Sequence, residues 1–304
     1  MKARIVGLAI VTACQVPGPP APVAGPEADV AYLASPALAG RETGTPGGDS
    51  AAAFIGRRYL TLSLRGAFPA SCERALECPA ALFQFFNVDG RVGQNIAAVV
   101  SGSDPSVRSQ YVVIGAHYDH IGQSTVNALD PELGPMSHPG ADDNASGTAA
   151  VLELGRRFER RPARRSIVLV NFDAEELGMV GSRVFVMHPP VLLQSIVFML
   201  DLDMIGRLRF DRLFVDAKPV SPMTKNVIAS AAAGAGLQVQ YTSEIASRSD
   251  HASFAARGIE AAALFTGFHI DYHKTTDVAS RVNLSGLIRV IDVAEAIARA
   301  EADR

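Results

Sequence analysis

Histidines and carboxylates recur in short clusters along this chain of 304 residues: His117-Tyr118-Asp119-His120, Asp142-Asp143, Glu175-Glu176, Asp201-Leu202-Asp203, Asp250-His251, and His273 followed by Asp277. Borderline Zn²⁺ takes imidazole nitrogen and carboxylate oxygen, and a reactive zinc site keeps one position open for water. Two such ions sharing one carboxylate form a clamp on a reacting oxygen. Carboxylates in this number do not stay ionised side by side without cations. The run Gly140-Ala141-Asp142-Asp143-Asn144-Ala145-Ser146-Gly147 carries the sharpest form of the problem, two adjacent acids leading into an apolar helical pattern. A helix N-terminus offsets only about half a charge, whereas a divalent ion offsets more. The competing reading is an Asx-type turn in which Asp143 or Asn144 caps the helix.

The elements that must position these clusters are unusually apolar. Residues 111–116, 166–172 and 195–200 are nearly continuous hydrophobic runs, the pattern of strands buried on both faces of a sheet covered by helices. Each run leads directly into one cluster, and open α/β sheets place their ligand sites beyond the carboxyl ends of the strands. A helix over 144–161 between the first two runs predicts a βαβ crossover. Further strands are expected over 82–88, 95–100, 213–215 and 261–265. Helices are expected after Gly48, over 222–233 with Gly234 and Gly236 ending it, and over 284–300. The Glu175-Glu176 pair reads as the acidic first turn of another helix. The fold class is α/β, a mixed and largely parallel central sheet sandwiched by helices, with residues 27–304 forming a single domain.

The composition, 48% hydrophobic and 19% charged with a formal net charge of -3, is that of an ordinary globular chain without the basic excess of a nucleic-acid binder. Residues 1–14 have a short basic start, an apolar stretch and a small-residue end, which describe an export signal. Its last four residues, Val11-Thr12-Ala13-Cys14, resemble a lipobox, with Cys14 the lipidated residue. Residues 15–26, rich in Pro, Gly and Ala, read as a flexible tether. The expected location is the periplasm or outer membrane as a lipoprotein, otherwise secretion, with the membrane touched only through the lipid. In an exported chain Cys72 and Cys78 are expected to close a local disulfide.

Taken in order, His117-Tyr118-Asp119, the 140–147 run, Asp173-Ala174-Glu175-Glu176-Leu177-Gly178, Asp201-Leu202-Asp203-Met204-Ile205-Gly206, Ser249-Asp250-His251 and Tyr272-His273 resemble the successive motifs of the co-catalytic dizinc aminopeptidases, metallopeptidase family 28, the bacterial leucyl aminopeptidase-like exopeptidases. The resemblance runs from about Tyr32 to the C-terminus. It implies two zinc ions per chain: Asp143 bridging, His117 and Asp203 on one ion, Glu176 and His273 on the other. It implies Glu175 as the general base acting on a water held between the ions, Asp119 orienting the His117 imidazole, and Tyr272 donating to the tetrahedral intermediate. Asp142 is expected to support or cap rather than ligate, Asp201 to brace its strand, Asp250 and His251 to shape the pocket, and Asp277 to serve a turn. His120, His138, His188 and His269 have no motif behind them and are assigned to the surface or the pocket rim.

The implied activity is removal of N-terminal residues from peptides with a free amino group, the substrate ammonium held by Glu175 and Asp203. Arg248 leaves a carboxylate-gripping alternative open, while Arg207 and Lys274 read as solvated charges. Loop 122–139 and Phe265-Thr266-Gly267-Phe268 are expected to wall a pocket for apolar N-terminal side chains. The alternatives are a carboxypeptidase or dipeptidase with the same site, a glutaminyl-cyclase-like relative, and a non-catalytic binding protein. Nothing in the pattern speaks to oligomeric state.

Overall fold

The structure is a computed structural model that describes residues 25–69, 79–217 and 219–304; the expected signal, tether and lipidation site at Cys14, and the Cys72–Cys78 pair, lie outside the described residues. The chain order is α1 (Pro26–Leu33), α2 (Pro46–Thr61), β1 (Arg65–Gly66), β2 (Phe83–Val88), β3 (Arg91–Val100), β4 (Tyr111–His117), α3 (Gly147–Arg160), β5 (Ser166–Phe172), α4 (Val180–Met187), β6 (Ile196–Leu202), β7 (Arg212–Asp216), α5 (Pro222–Gly234), β8 (Gln238–Tyr241), α6 (His251–Ala255), β9 (Ala261–Phe265) and α7 (Leu284–Ala302). Among the described residues, no helix is long and apolar enough to cross a membrane.

All nine strands form one sheet in the order β1-β3-β5-β4-β6-β9-β7-β8, with β2 beside β3. The central four, β5-β4-β6-β9, are parallel. The flanks turn antiparallel where β3 joins β5 and β7 joins β9. Every residue of β5 and all but the first of β4 are buried, because helices cover both faces; this is the physical reason the runs carry no polar alternation. One face packs Val112, Ile114, Leu169, Phe198 and Leu200 under α3 and α7. The other packs Val113, Val170 and Phe172 against Phe185 of α4 and Phe254 of α6. The βαβ unit β4-α3-β5 joins adjacent parallel strands, as the sequence predicts.

Two expectations shift. Gly234 is the last helical residue of α5 rather than its stop, and the left-handed Gly236 (φ +68°) turns the chain toward β8. Glu175 and Glu176 sit in a turn between β5 and α4 rather than on a helical first turn, since Ala174 takes a left-handed conformation (φ +57°) and the helix begins only at Val180. The consequence is that both backbone N–H groups of the acidic pair need side-chain acceptors.

Candidate metal centre

His117 is the last residue of β4, Asp203 follows β6, Glu175 and Glu176 follow β5, Asp143 lies in the turn before α3, and His273 lies in a loop after β9. The structure brings all six to one place, where they line a cavity of about 30 Å³ with Met204, Ile245, Arg248, Phe268 and Tyr272. A larger cavity of about 530 Å³ lies at the opposite ends of the strands, around Arg165, Ile196 and Glu260, and contains none of these groups.

The donor spacing tests whether cations fit. Tetrahedral zinc with bonds of about 2.0–2.1 Å sets neighbouring donors roughly 3.3 Å apart. His117 Nε2 lies 3.4 Å from Asp143 Oδ1 and 3.5 Å from Asp203 Oδ1. His273 Nε2 lies 3.2 Å from Asp143 Oδ2 and 3.3 Å from Glu176 Oε2. Asp143 thus turns one oxygen to each histidine, the geometry of a carboxylate shared by two ions. Asp203 Oδ1 is buried without a hydrogen-bond partner, an atom that a cation would satisfy. The residues present fit two zinc ions.

The imidazoles are held by backbone. His117 Nδ1 lies 3.2 Å from the Asp119 carbonyl, and His273 Nδ1 lies 2.9 Å from the Asn127 carbonyl. Each carbonyl accepts from Nδ1–H, leaving Nε2 as the ligand atom. The Asp119 carboxylate therefore has another task than the one expected of it. It stands 3.7 Å from His117 Nδ1 but accepts the N–H groups of Glu175 (3.1 Å) and Glu176 (3.2 Å), and so sets the turn that presents the base and a ligand.

Other residues pin the backbone of the Asp142–Asn144 turn. Gly140 is left-handed (φ +56°), and the Asp143–Asn144 peptide is cis. Asn144 does cap α3, its Oδ1 accepting from Gly147 N at 2.9 Å while its amide donates to the Leu202 carbonyl. A side chain at Gly147 would meet that same carbonyl at 2.1 Å, so the helix start sits flush against the end of β6. Asp277 Oδ2 accepts from the N–H groups of Asp142 and Asp143 at 2.9 and 3.1 Å. It is a clamp on the bridging residue, with Arg207 bound to its other oxygen, not simply a turn residue. Arg207 is correspondingly no solvated charge, since it also pairs with Asp271. Asp142 binds Gly206 N and lies 3.1 Å from His269. Asp201 accepts from Ser249 Oγ and His251 N, tying β6 to the start of α6.

Arg41, which the sequence reading did not single out, is fully buried under the site. Its guanidinium donates to the carbonyls of Tyr118 (2.6 Å), Leu33 (3.1 Å), Gly140 (2.6 Å), Asp143 (3.1 Å) and Pro139. It thereby ties the loop after β4 to the turn before α3. Burial pulls it down to about 10, with Asp143 and Asp119 opposing, so it remains a cation at neutral pH.

His120 and His138 are corrections, because neither lies at the surface or rim. His138 bridges Asp130 and the Gly122 carbonyl within loop 122–139. His120 Nδ1 lies 2.8 Å from Glu176 Oε1 and 3.8 Å from Asp143 Oδ2. The first distance is a hydrogen bond and the second too long for a shared tetrahedron, so His120 orients Glu176 rather than joining the ligands. His188 is exposed, and His269 lies at the rim of the outer depression.

Without cations, protons do the compensating. Burial opposes charge on His117, but Asp119, Asp143 and Asp203 hold it protonated well above the usual range. Burial likewise opposes charge on His273, and Asp143 and Glu176 push it up to about 11. Against burial, His117 and His273 hold Asp143 well below the carboxylate range, and His120 and His273 bring Glu176 to about 2 despite the neighbouring Asp143. Glu175 is different: burial raises it well above its usual value, and Glu176, Asp250 and Asp203 outweigh the pull of His117. Burial, then Asp201, also raises Asp250. Tyr272 lies against the His273 ring, with centroids 4.0 Å apart, and burial beside four acids keeps its phenol protonated and a donor.

Comparison with known proteins agrees with this centre. The model of peptidase family M28 matches residues 95–298. Leupeptin-inactivating enzyme 1 of Streptomyces exfoliatus is 32% identical over 202 residues, 65% of this chain and 41% of that protein. The chain spans less than half the length of the curated relatives it matches. Among solved structures, LapA of Legionella pneumophila shares the fold at TM-score 0.72 and 20% identity, covering 93% of this chain and 73% of that one. The glutaminyl cyclase of Porphyromonas gingivalis does so equally, at TM-score 0.72 and 17% identity over 91% and 97% of the two chains. The fold is therefore common to proteins of different named activities, while the family match covers every cluster described above: the chain belongs to peptidase family M28.

Proposed function

We propose that the chain is a zinc-dependent aminopeptidase in which His117 and Asp203 hold one ion, Glu176 and His273 the other, and Asp143 both. The observation that carries this reading is the Asp143 carboxylate, one oxygen 3.4 Å from His117 Nε2 and the other 3.2 Å from His273 Nε2, with Glu175 beside it and not needed as a ligand. A zinc pair supplies Lewis-acid polarisation of the scissile carbonyl and a lowered pKa for attacking water. Glu175, held by Asp119 through its backbone, takes the proton of that water and delivers it to the leaving amine. Its raised affinity for a proton suits the second half of that task. Tyr272 donates its phenol hydrogen to the oxygen that gains charge at the scissile carbon. The acids lining the cavity attract the free α-ammonium, and Met204, Ile245 and Phe268 wall the space beside it, which favours apolar N-terminal residues.

Hydrolysis is preferred over the cyclase alternative because all five ligands and the spare glutamate converge, and over a pure binding protein for the same reason. Rates on free-amino and N-acetylated peptides, with and without chelator, test the reading. Cleavage of the free peptides alone, abolished by chelator and restored by zinc, is the expected result; equal cleavage of blocked peptides would refute it.

A further inference from the structure

The metal cavity opens outward into a second depression of about 390 Å³, and Arg248, Phe268 and Tyr272 line both. The outer space adds Leu129, Ile270 and Lys274, and no carboxylate lines it. Its charge is therefore opposite in sign to the acids at the inner end. Arg248 is exposed and lies over the Phe268 ring, its guanidinium carbon 5.4 Å from the centroid. Neither Arg248 nor Lys274 has an acidic partner among the described residues. The nearest acid in sequence to Lys274, Asp271, is taken by Arg207, Arg281 and Thr276. Two unneutralised cations at the mouth of a cleft whose floor is acidic make a polarised site. An ammonium is attracted inward and a carboxylate outward, with apolar surface between them for a side chain.

From this polarity we propose that the outer depression is a carboxylate subsite, and that the substrates are short peptides or peptides carrying an acidic group just beyond the scissile bond. The inference rests on the aminopeptidase reading, since it assumes the amino end lies at the metal cavity. The carboxylate has two possible sources, the free C-terminus of a dipeptide or an acidic side chain at the second position. Both present the same group to Arg248 and Lys274. An exposed cation–carboxylate contact changes affinity by roughly two- to fivefold, and the preference weakens with salt because the depression is open to solvent.

The test measures kcat/KM of the zinc-loaded full chain on Leu-Ala, Leu-Ala-amide, Leu-Glu-amide, Leu-Gln-amide and leucine p-nitroanilide. The expected result is a preference on the order of tenfold for Leu-Ala over its amide, or for Leu-Glu-amide over Leu-Gln-amide, the two ratios distinguishing terminus from side chain. Arg248→Gln and Lys274→Gln should each cut the ratio by roughly two- to fivefold, and the double variant should bring it close to one. Turnover with both ratios near one in the unmodified protein, or with ratios indifferent to both substitutions, overturns the subsite while leaving the aminopeptidase reading standing. Failure to turn over any of the five substrates overturns that reading, and the subsite with it.

Discussion

Arg41 offers the most demanding test of how the site is held. Its guanidinium reaches carbonyls of four residues on either side of the site, Tyr118, Pro139, Gly140 and Asp143, and a fifth at Leu33. Replacement by Met keeps volume and apolar stem but removes every donor. A buried acceptor left unpaired costs about 1–3 kcal/mol. Release of the buried charge recovers part of the total, so the net loss should fall near 4 kcal/mol, within the range of about 3–5 kcal/mol for breaking a buried ionic network. That corresponds to roughly a thousandfold in the folding constant. Urea unfolding of the zinc-free protein measures it directly, and competition against a chromophoric chelator reports whether the carbonyl frame also sets zinc affinity. Arg41→Lys should recover only part of the loss, because an ammonium cannot span carbonyls that a planar fork reaches in several directions. A cost below about 1 kcal/mol for the Met variant, with zinc affinity intact, would refute the clamp.

Three further outcomes follow from the same geometry. Glu175→Gln should keep two zinc ions per chain by elemental analysis while losing about 10²–10⁴ in kcat; full activity would remove Glu175 as the base. His120→Ala should weaken zinc on the Glu176–His273 side by about 10–100-fold, read as a second, looser equivalent in a competition titration, and two unchanged equivalents would show that its 2.8 Å contact with Glu176 is incidental. Because His273 is raised to about 11 in the zinc-free fold, it carries a proton at pH 7 that zinc must displace. Binding should therefore release protons, visible as buffer-dependent heats, and affinity should rise between about pH 6 and 9. The same shift contributes stability to the zinc-free protein that is fully present below the unfolded value of about 6.5 and is lost as pH rises through about 11. Heats independent of the buffer would contradict that protonation state.

The ligands were legible in the sequence for a reason that lies in the sheet. β4, β5 and β6 are buried on both faces, so their apolar runs have no competing periodicity, and the first polar residues beyond them stand out as strand-end groups. What stayed hidden depends on direction in space rather than residue type. His120 follows the metal motif directly, but spacing does not reveal that its ring turns toward Glu176. Arg41 lies in a Gly-rich turn 99 residues from Gly140, and a lone arginine in such a stretch is most simply read as solvated. Asp277 likewise looked like a turn residue because its two N–H partners are 134 and 135 positions away.

These hidden residues share one property, which bears on how the centre works. None need touch a metal, yet each fixes backbone that carries a ligand: Arg41 and Asp277 the Asp143 turn, Asp119 the Glu175–Glu176 turn, and the Asn127 carbonyl the His273 ring. The donor separations of 3.2–3.5 Å are thus imposed by hydrogen bonds the protein makes to itself. A frame of that kind can exchange protons on His117 and His273 for dications without moving its backbone. It also leaves Glu175, whose carboxylate no ion claims, in fixed register with the bond to be cut. Substituting a ligand removes one donor; substituting a member of the frame displaces several at once, and for that reason the Arg41 and His120 variants discriminate between a preorganised centre and one assembled by its metals.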